Sequence, residues 1–357
     1  MYFMRRIFDT ALLGVVLGAA GVLAAAGASE VREKAEGDGR VVIGLMGDVM
    51  LGRLVDKEIG RRGYSYIWGD MLGRLRQTDI NIINLETTLT RSTKKVRKVF
   101  NFRAQPDRVQ CLVEARIDVC NLANNHILDF SREGLVETIA TLDGAGIRHV
   151  GAGKNKQEAT EAVVIEKKGA RVGVIGFTDN EPGWEAKEDK CGTNYVKVGD
   201  IERVRRQIEK LRGKVDILVL TIHWGPNMRQ RPSRAFQDFA RKVVDAGVDI
   251  FHGHSAHIFQ GVEVYKGKLI LYDTGDFVDD YAVDRSLRND ESFLYLVEVD
   301  EGGVRKVELV PVLISRMQVN RAQGRDYERI VGKMKRLLRE FGTEIKEVAE
   351  GVFVTFE

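Results

Sequence analysis

Three of the six histidines in this 357-residue chain fall within Phe251-His252-Gly253-His254-Ser255-Ala256-His257. The segment follows Val248-Asp249-Ile250 and precedes a strand-like stretch at 258–265, which predicts a loop at a strand end, where side chains converge on a ligand. Imidazoles alone do not define a metal site. The chemistry depends on whether other strand ends bring carboxylates and amides to the same place.

Four further apolar runs end in such residues. Val41 to Met46 stops at Gly47-Asp48, and Ile80 to Leu85 stops at Glu86. The run 117–122 leads into Asn125, His126 and Asp129, and the run 215–222 ends at His223. Ligands in open α/β sheets gather at the carboxyl ends of strands, so Asp48, Glu86, Asn125, His126, His223, His254 and His257 are candidates for one site. Taken singly, the acids and asparagines also suit helix caps and turns. His126 and Asp129 are three apart and would share a face if a helix begins there, letting the acid orient the imidazole. His252 is expected on the other side of its strand, as a structural residue. A mixed carboxylate, amide and imidazole set suits Mn, Fe or Zn better than calcium. Two such ions about 3.5–4 Å apart would activate water and stabilise the attacking and leaving oxygens of a displacement at phosphorus or carbonyl.

The surrounding elements must hold these tips in register. Helical patterns are predicted at 66–76, 107–115, 133–145, 201–211, 232–246 and 327–341. Hairpins are predicted around Lys168-Gly169, Lys266-Gly267 and Glu301-Gly302-Gly303, with one short strand at the end of the chain. Arg53, Arg229 and Arg231 stand where they could face an anionic group. The polar segment 91–103, with Lys94, Lys95, Arg97 and Lys98, reads as a solvated loop or edge hairpin, or as a patch that holds an anionic substrate or polymer.

Lys and Arg number 55 against 52 Asp and Glu, a balance that gives no support for a nucleic-acid binder. Cys111, Cys120 and Cys191 lack the spacing of a zinc knuckle or redox pair, and Cys120 reads as a small core residue. Arg5 and Arg6 precede an apolar run from Ala11 to Ala26, so residues 1–28 are expected to be a signal peptide or membrane anchor. Residues 29–40 read as a tether and 41–357 as the folded domain, outside the cytoplasm.

Five ordered motifs resemble the poly-gamma-glutamate capsule synthesis (CapA) family, a branch of the calcineurin-like metallophosphoesterases. They are Gly47-Asp48-Val49-Met50-Leu51-Gly52-Arg53, Asn84-Leu85-Glu86-Thr87-Thr88-Leu89, Ala123-Asn124-Asn125-His126, His223-Trp224-Gly225 and Gly253-His254-Ser255-Ala256-His257. The resemblance runs from about Val41 to Asp279. It implies an α/β sandwich of two central sheets flanked by helices, with a dinuclear metal site at one edge. By the same resemblance Asp48 would bind a first metal and Glu86 would bridge. Asn125, His223 and His254 would hold the second metal, and His257 would return to the first. His126 would protonate a leaving group or bind the developing oxyanion, with Asp129 behind it. The sequence departs in four places: no histidine follows Asp48 at the aspartate-any-histidine spacing, so the first metal is expected to lack a ligand; the final histidines are spaced more widely than Gly-His-any-His; Pro226-Asn227 stands where many relatives have an acidic residue; and Asp276 stands where many have asparagine. The expected function is a metal-dependent hydrolase or transferase acting on a phosphoester or amide in capsule or polyglutamate production, within a membrane-bound synthesis or export complex. The alternative is a non-catalytic polymer-binding assembly or export subunit on the same fold.

Overall fold

Strand side chains alternate between two faces, and in this chain both faces of the central strands are apolar over most of their length, so each sheet must be covered on both sides. The computed structural model describes residues 39–356, which lie within the compact unit Gly37–Glu357. In one sheet Val41–Val49, Ile80–Leu85, Val119–Asn121 and Arg148–Val150 run parallel in that order. On the other flank of Val41–Val49 the sheet continues antiparallel through Glu291–Asp300, Gly303–Ser315, Gly351–Val354 and Ile345–Val348. The second sheet has the order Val262–Tyr265, Lys268–Leu271, Ile250–His254, Ile217–His223, Ala170–Thr178, Val163–Lys167. Its inner four strands are parallel and each edge is closed by an antiparallel hairpin.

The two sheets meet through one buried apolar layer, with Ile43, Leu45, Ile82 and Val119 from the first and Val174, Val219, Ile250 and Leu269 from the second. Their outer faces carry helices. Ile83 and Leu85 pack with Ile59, Leu112, Leu135 and Ile139 from Arg53–Arg62, Val109–Glu114 and Ser131–Gly144. Leu218, Leu220 and Ile222 pack with Val204, Ile208, Phe239 and Val243 from Ile201–Arg212 and Arg234–Asp245. The architecture is the expected α/β sandwich of two central sheets flanked by helices.

The inner layer changes character along the strands, and this positions the site. Ile80 and Ile82 are followed on the same face by Asn84, and Val119 by Asn121. Ile217 and Val219 are followed by Thr221 and His223, and Ile250 by His252 and His254. With a period of two, an inter-sheet layer that is apolar at one end becomes polar at the carboxyl ends of the strands. His252 therefore shares a face with His254 and does not lie on the other side of its strand as expected; Thr221 Oγ1 is 3.2 Å from His252 Nδ1 and 3.0 Å from His254 Nε2.

Other expectations shift by a few residues. The helix expected at 133–145 begins at Ser131, so His126 and Asp129 sit in the preceding turn. The final helix is Gly324–Arg339, and the terminal strand is a hairpin of two. Ile345–Val348 is half-buried only at Ile345, and so it carries little apolar alternation to read. The expected signal peptide or anchor (1–28), and the tether apart from its last two residues, lie outside the described residues. Among the described residues no helix is long and apolar enough to cross a membrane.

Candidate metal centre

Asp48 lies where the register of the first strand shifts against its parallel neighbours. Gly47 permits this, because a Cβ there would lie 1.7 Å from the carbonyl oxygen of Gly275. The backbone of Asp48 then donates to that carbonyl at 3.0 Å, which brings the turn before Asp276 against the tip of the first strand.

Two ligand groups form around Asp48, and it belongs to both. In the first, Asp48 meets Glu86, His257 and Asp276: His257 Nδ1 is 3.4 Å from Asp48 Oδ2 and 2.9 Å from Asp276 Oδ1. In the second, Asp48 Oδ1 is 3.4 Å from His223 Nδ1 and 3.5 Å from His254 Nδ1, and the two imidazole nitrogens are 3.1 Å apart. A tetrahedral site with ligand bonds of about 2.0–2.2 Å has edges of roughly 3.3–3.6 Å, so these spacings suit one bound transition ion. Glu86 Oε1 lies between the groups and His126, 3.8 Å from both His223 Nε2 and His126 Nε2.

Several of these atoms are buried without a hydrogen-bond partner: Asp48 Oδ2, Glu86 Oε1, Asn125 Oδ1, His223 Nε2 and Asp276 Oδ2. Buried polar atoms without partners are costly, and divalent ions would satisfy them. Their electrostatics agree. Burial, reinforced by Asp48, pushes the Glu86 carboxyl up to about 8, and burial raises Asp276 well above the carboxylate range. Burial opposes charge on Asp48, yet His223, His257 and His254 hold it well below its ordinary value. Burial likewise opposes a proton on His257, but Asp276 and Glu86 outweigh it and raise its pKa.

Asn84 ties the groups together. Its Nδ2 donates to Asp48 Oδ1 at 2.7 Å and lies 3.1 Å from His223 Nδ1, while its Oδ1 accepts from Asn121 at 3.0 Å and Asn124 at 3.2 Å. His126 stands at the edge, 6% exposed. Its ring stacks on Phe102 with centroids 3.7 Å apart, and Nδ1 meets Asp129 Oδ2 at 2.5 Å. Asp129 also accepts from the backbone of Phe102 at 2.7 Å and from Lys98 Nζ at 3.0 Å. Lys98 bonds the Asn125 carbonyl as well and rests 4.8 Å from the Trp184 ring, so it is no solvated lysine.

The predicted arginines divide. Arg53 lies over the Phe100 and Phe102 rings at 5.5 and 5.6 Å, beside the His126 stack, with Nε 3.3 Å from Asp280. Arg229 and Arg231 line a separate cavity of about 150 Å³ with Trp224, Phe236 and Gln260, and Arg231 is paired to Glu340 at 2.7 Å.

Where the sequence reading expected the first metal to lack a ligand, the structure brings Asp276, from a different strand, within reach of Asp48, Glu86 and His257. The signal was an acid after Gly275 at a strand tip, the pattern already used for Asp48. The residue common to both groups is Asp48, while Glu86, expected to bridge, belongs to the first and lies 3.8 Å from His223 of the second. Sequence reasoning also passed over Asn84, which alternation with Ile80 and Ile82 aims into the site, and Tyr281, whose hydroxyl is 3.4 Å from Glu86 Oε2 and whose ring packs on His257.

The profile of the family described as "Bacterial capsule synthesis protein PGA_cap" matches residues 42–281. The chain is 33% identical to "Probable polyglutamine synthesis accessory protein Rv0574c" of Mycobacterium tuberculosis (strain ATCC 25618 / H37Rv), over 85% of this chain and 93% of that one. It is 30% identical to "Capsule biosynthesis protein CapA" of Bacillus anthracis, over 77% of this chain and 68% of that one. Among solved structures, a 5'-nucleotidase precursor from Thermus thermophilus aligns with a TM-score of 0.47 at 13% identity, covering 77% of this chain and 54% of that one. With two thirds of its length inside the family's profile, including Asp48, Glu86, His126, His223, His254, His257 and Asp276, the chain belongs to the bacterial capsule synthesis protein family.

Proposed function

We propose that this chain is an extracytoplasmic, metal-dependent hydrolase or transferase of capsule or poly-gamma-glutamate production, acting on a phosphoester or an amide. The observation that carries the reading is the pair of ligand groups sharing Asp48, in which Asp48 Oδ2, Glu86 Oε1, Asp276 Oδ2 and His223 Nε2 are buried without a partner. The first ion would be held by Asp48, Glu86, His257 and Asp276, and the second by Asp48, His223, His254 and Asn125. When bound, such ions polarise a phosphoryl or carbonyl oxygen and lower the pKa of water.

The chain's own groups supply positioning and a site of proton exchange, an imidazole whose pKa burial lowers to about 4 against the opposing pull of Asp129. Asp129 engages Nδ1 of His126 and the Phe102 ring fixes its plane, which leaves Nε2 as the atom that exchanges a proton with a leaving group. Arg53 adds a positive charge beside that imidazole for an anionic substrate. Burial of Asp48, Glu86, His223 and His254 excludes bulk water and strengthens each of these interactions.

The reading is tested by loading the purified chain with Mn, Fe or Zn and screening phosphoesters and poly-gamma-glutamate. Turnover that Glu86→Ala abolishes supports it. Metal uptake with no turnover on either class would instead favour a polymer-binding assembly or export subunit, for which the exposed Lys95 and Arg97 speak.

A further inference from the structure

We infer that residues 97–100 form a tip that dips into an anionic membrane surface and turns the mouth of the metal centre toward the bilayer. Val99 is 90% exposed and Phe100 58% exposed, side by side on a loop. Burying apolar side chains of this size is favourable, so a tip that shows both to water is poised for an apolar phase. Lys95 and Arg97 are exposed on the same loop and have no ion-pair partner among the described residues. The neighbouring cations are spent on acids: Arg91 on Glu137, Lys94 on Glu133 and Lys98 on Asp129. Apolar tip residues beside unspent cations are the pattern of an interfacial anchor on anionic lipid. A soluble polyanion offers no phase for Val99 and Phe100, which is why lipid is favoured over polymer.

The tip is braced. Val96 donates its amide to the Asp129 carbonyl at 2.8 Å, the Asn101 side chain donates to the same carbonyl at 3.4 Å, and the Phe102 amide donates to the Asp129 carboxylate at 2.7 Å. Asp129 thus fastens both ends of the tip and also holds His126. Arg53 lies over the Phe100 ring at 5.5 Å, which seats the tip beside the His126 stack. One short tip binds weakly on its own. It becomes effective when another segment keeps the chain near the membrane, the role expected of the apolar run at 11–26, because tethering raises its local concentration.

The test uses the full-length chain with Val99→Cys carrying a polarity-sensitive nitrobenzoxadiazole label; Cys111, Cys120 and Cys191 are buried and escape labelling in the native state. Mixed phosphatidylcholine and phosphatidylglycerol vesicles should raise the fluorescence about threefold or more, and lipid-borne nitroxides should quench it. Lys95→Glu with Arg97→Glu should reverse most of the rise, and a control label at Val164→Cys on the edge strand Val163–Lys167 should not respond. Co-sedimentation, read separately, reports whether the chain is at the vesicle at all. A label at position 99 that stays in water while the chain sediments with vesicles would overturn the inference. So would an equal response at position 164, or a response to soluble polyglutamate in place of lipid.

Discussion

Asp276 brings a carboxylate oxygen to 2.9 Å from Nδ1 of His257, while its second oxygen is buried with no partner. The acid thus completes a four-residue ligand group around one face of Asp48, from a strand that pairs with the Asp48 strand and is far from it in sequence.

Replacing it separates a ligand role from a structural one. Asp276→Asn keeps an oxygen donor and should retain two metal equivalents with weaker affinity for one. Asp276→Ala should lose that equivalent, with an affinity drop at least as large as the roughly 10–100-fold seen on removing outer-shell partners. Elemental analysis after dialysis against a graded chelator series reads both.

His126 should act on turnover and not on metal content. His126→Gln is expected to reduce kcat by about 10²–10⁴ while both metal equivalents remain. Loss of metal in the same variant would show that the imidazole is a ligand and not a proton donor.

Asn84 links Asp48, His223, Asn121 and Asn124 in a fully buried setting. Asn84→Leu should cost about 1–3 kcal/mol, because Asn121, Asn124 and a carboxylate oxygen of Asp48 each lose one partner together. Urea unfolding of the metal-free chain measures it; a change below about half a kcal/mol would contradict the role of Asn84 as the hub.

His149 gives a pH signature away from the site. Burial depresses its pKa below 6.5, and Asp143, 3.4 Å away, only partly opposes this. Between the folded and unfolded values the unfolded chain holds the proton and the folded chain does not, so the contribution of His149 is full above about pH 6.5 and is lost as pH falls through the folded value. Relative to His149→Gln, the natural chain should lose stability on acidification below about pH 6.5, by no more than about 1.4 kcal/mol per pH unit. Paired urea titrations from neutral to acid pH would show the crossing, or its absence.

The sandwich was legible because each central strand is a mainly apolar run that stops at a polar tip, and the placing of Asp48, Glu86, His223, His254 and His257 at strand ends followed from that rule. What was not legible depended on contacts between distant segments. Asp276 follows a glycine at a strand tip as Asp48 does, but that it enters beside Asp48 depends on Gly47 letting the distant 273–275 turn approach. His252 was assigned to the wrong face because the cluster was read as a loop; it lies within the strand Ile250–His254, where residues two apart share a face. Lys98 looked like one of several solvated lysines, and its burial against Asp129 and Trp184 comes from the fold of its loop, not from its neighbours in sequence.

The central claim is that Asp48 is common to two metal sites. Its most direct test is the metal stoichiometry of folded Asp48→Ala beside the natural chain, each loaded with Mn, Fe or Zn, dialysed and checked by circular dichroism. Two equivalents in the natural chain and close to none in the variant are predicted. A natural chain that takes up no metal, or a folded variant that keeps both equivalents, would contradict it.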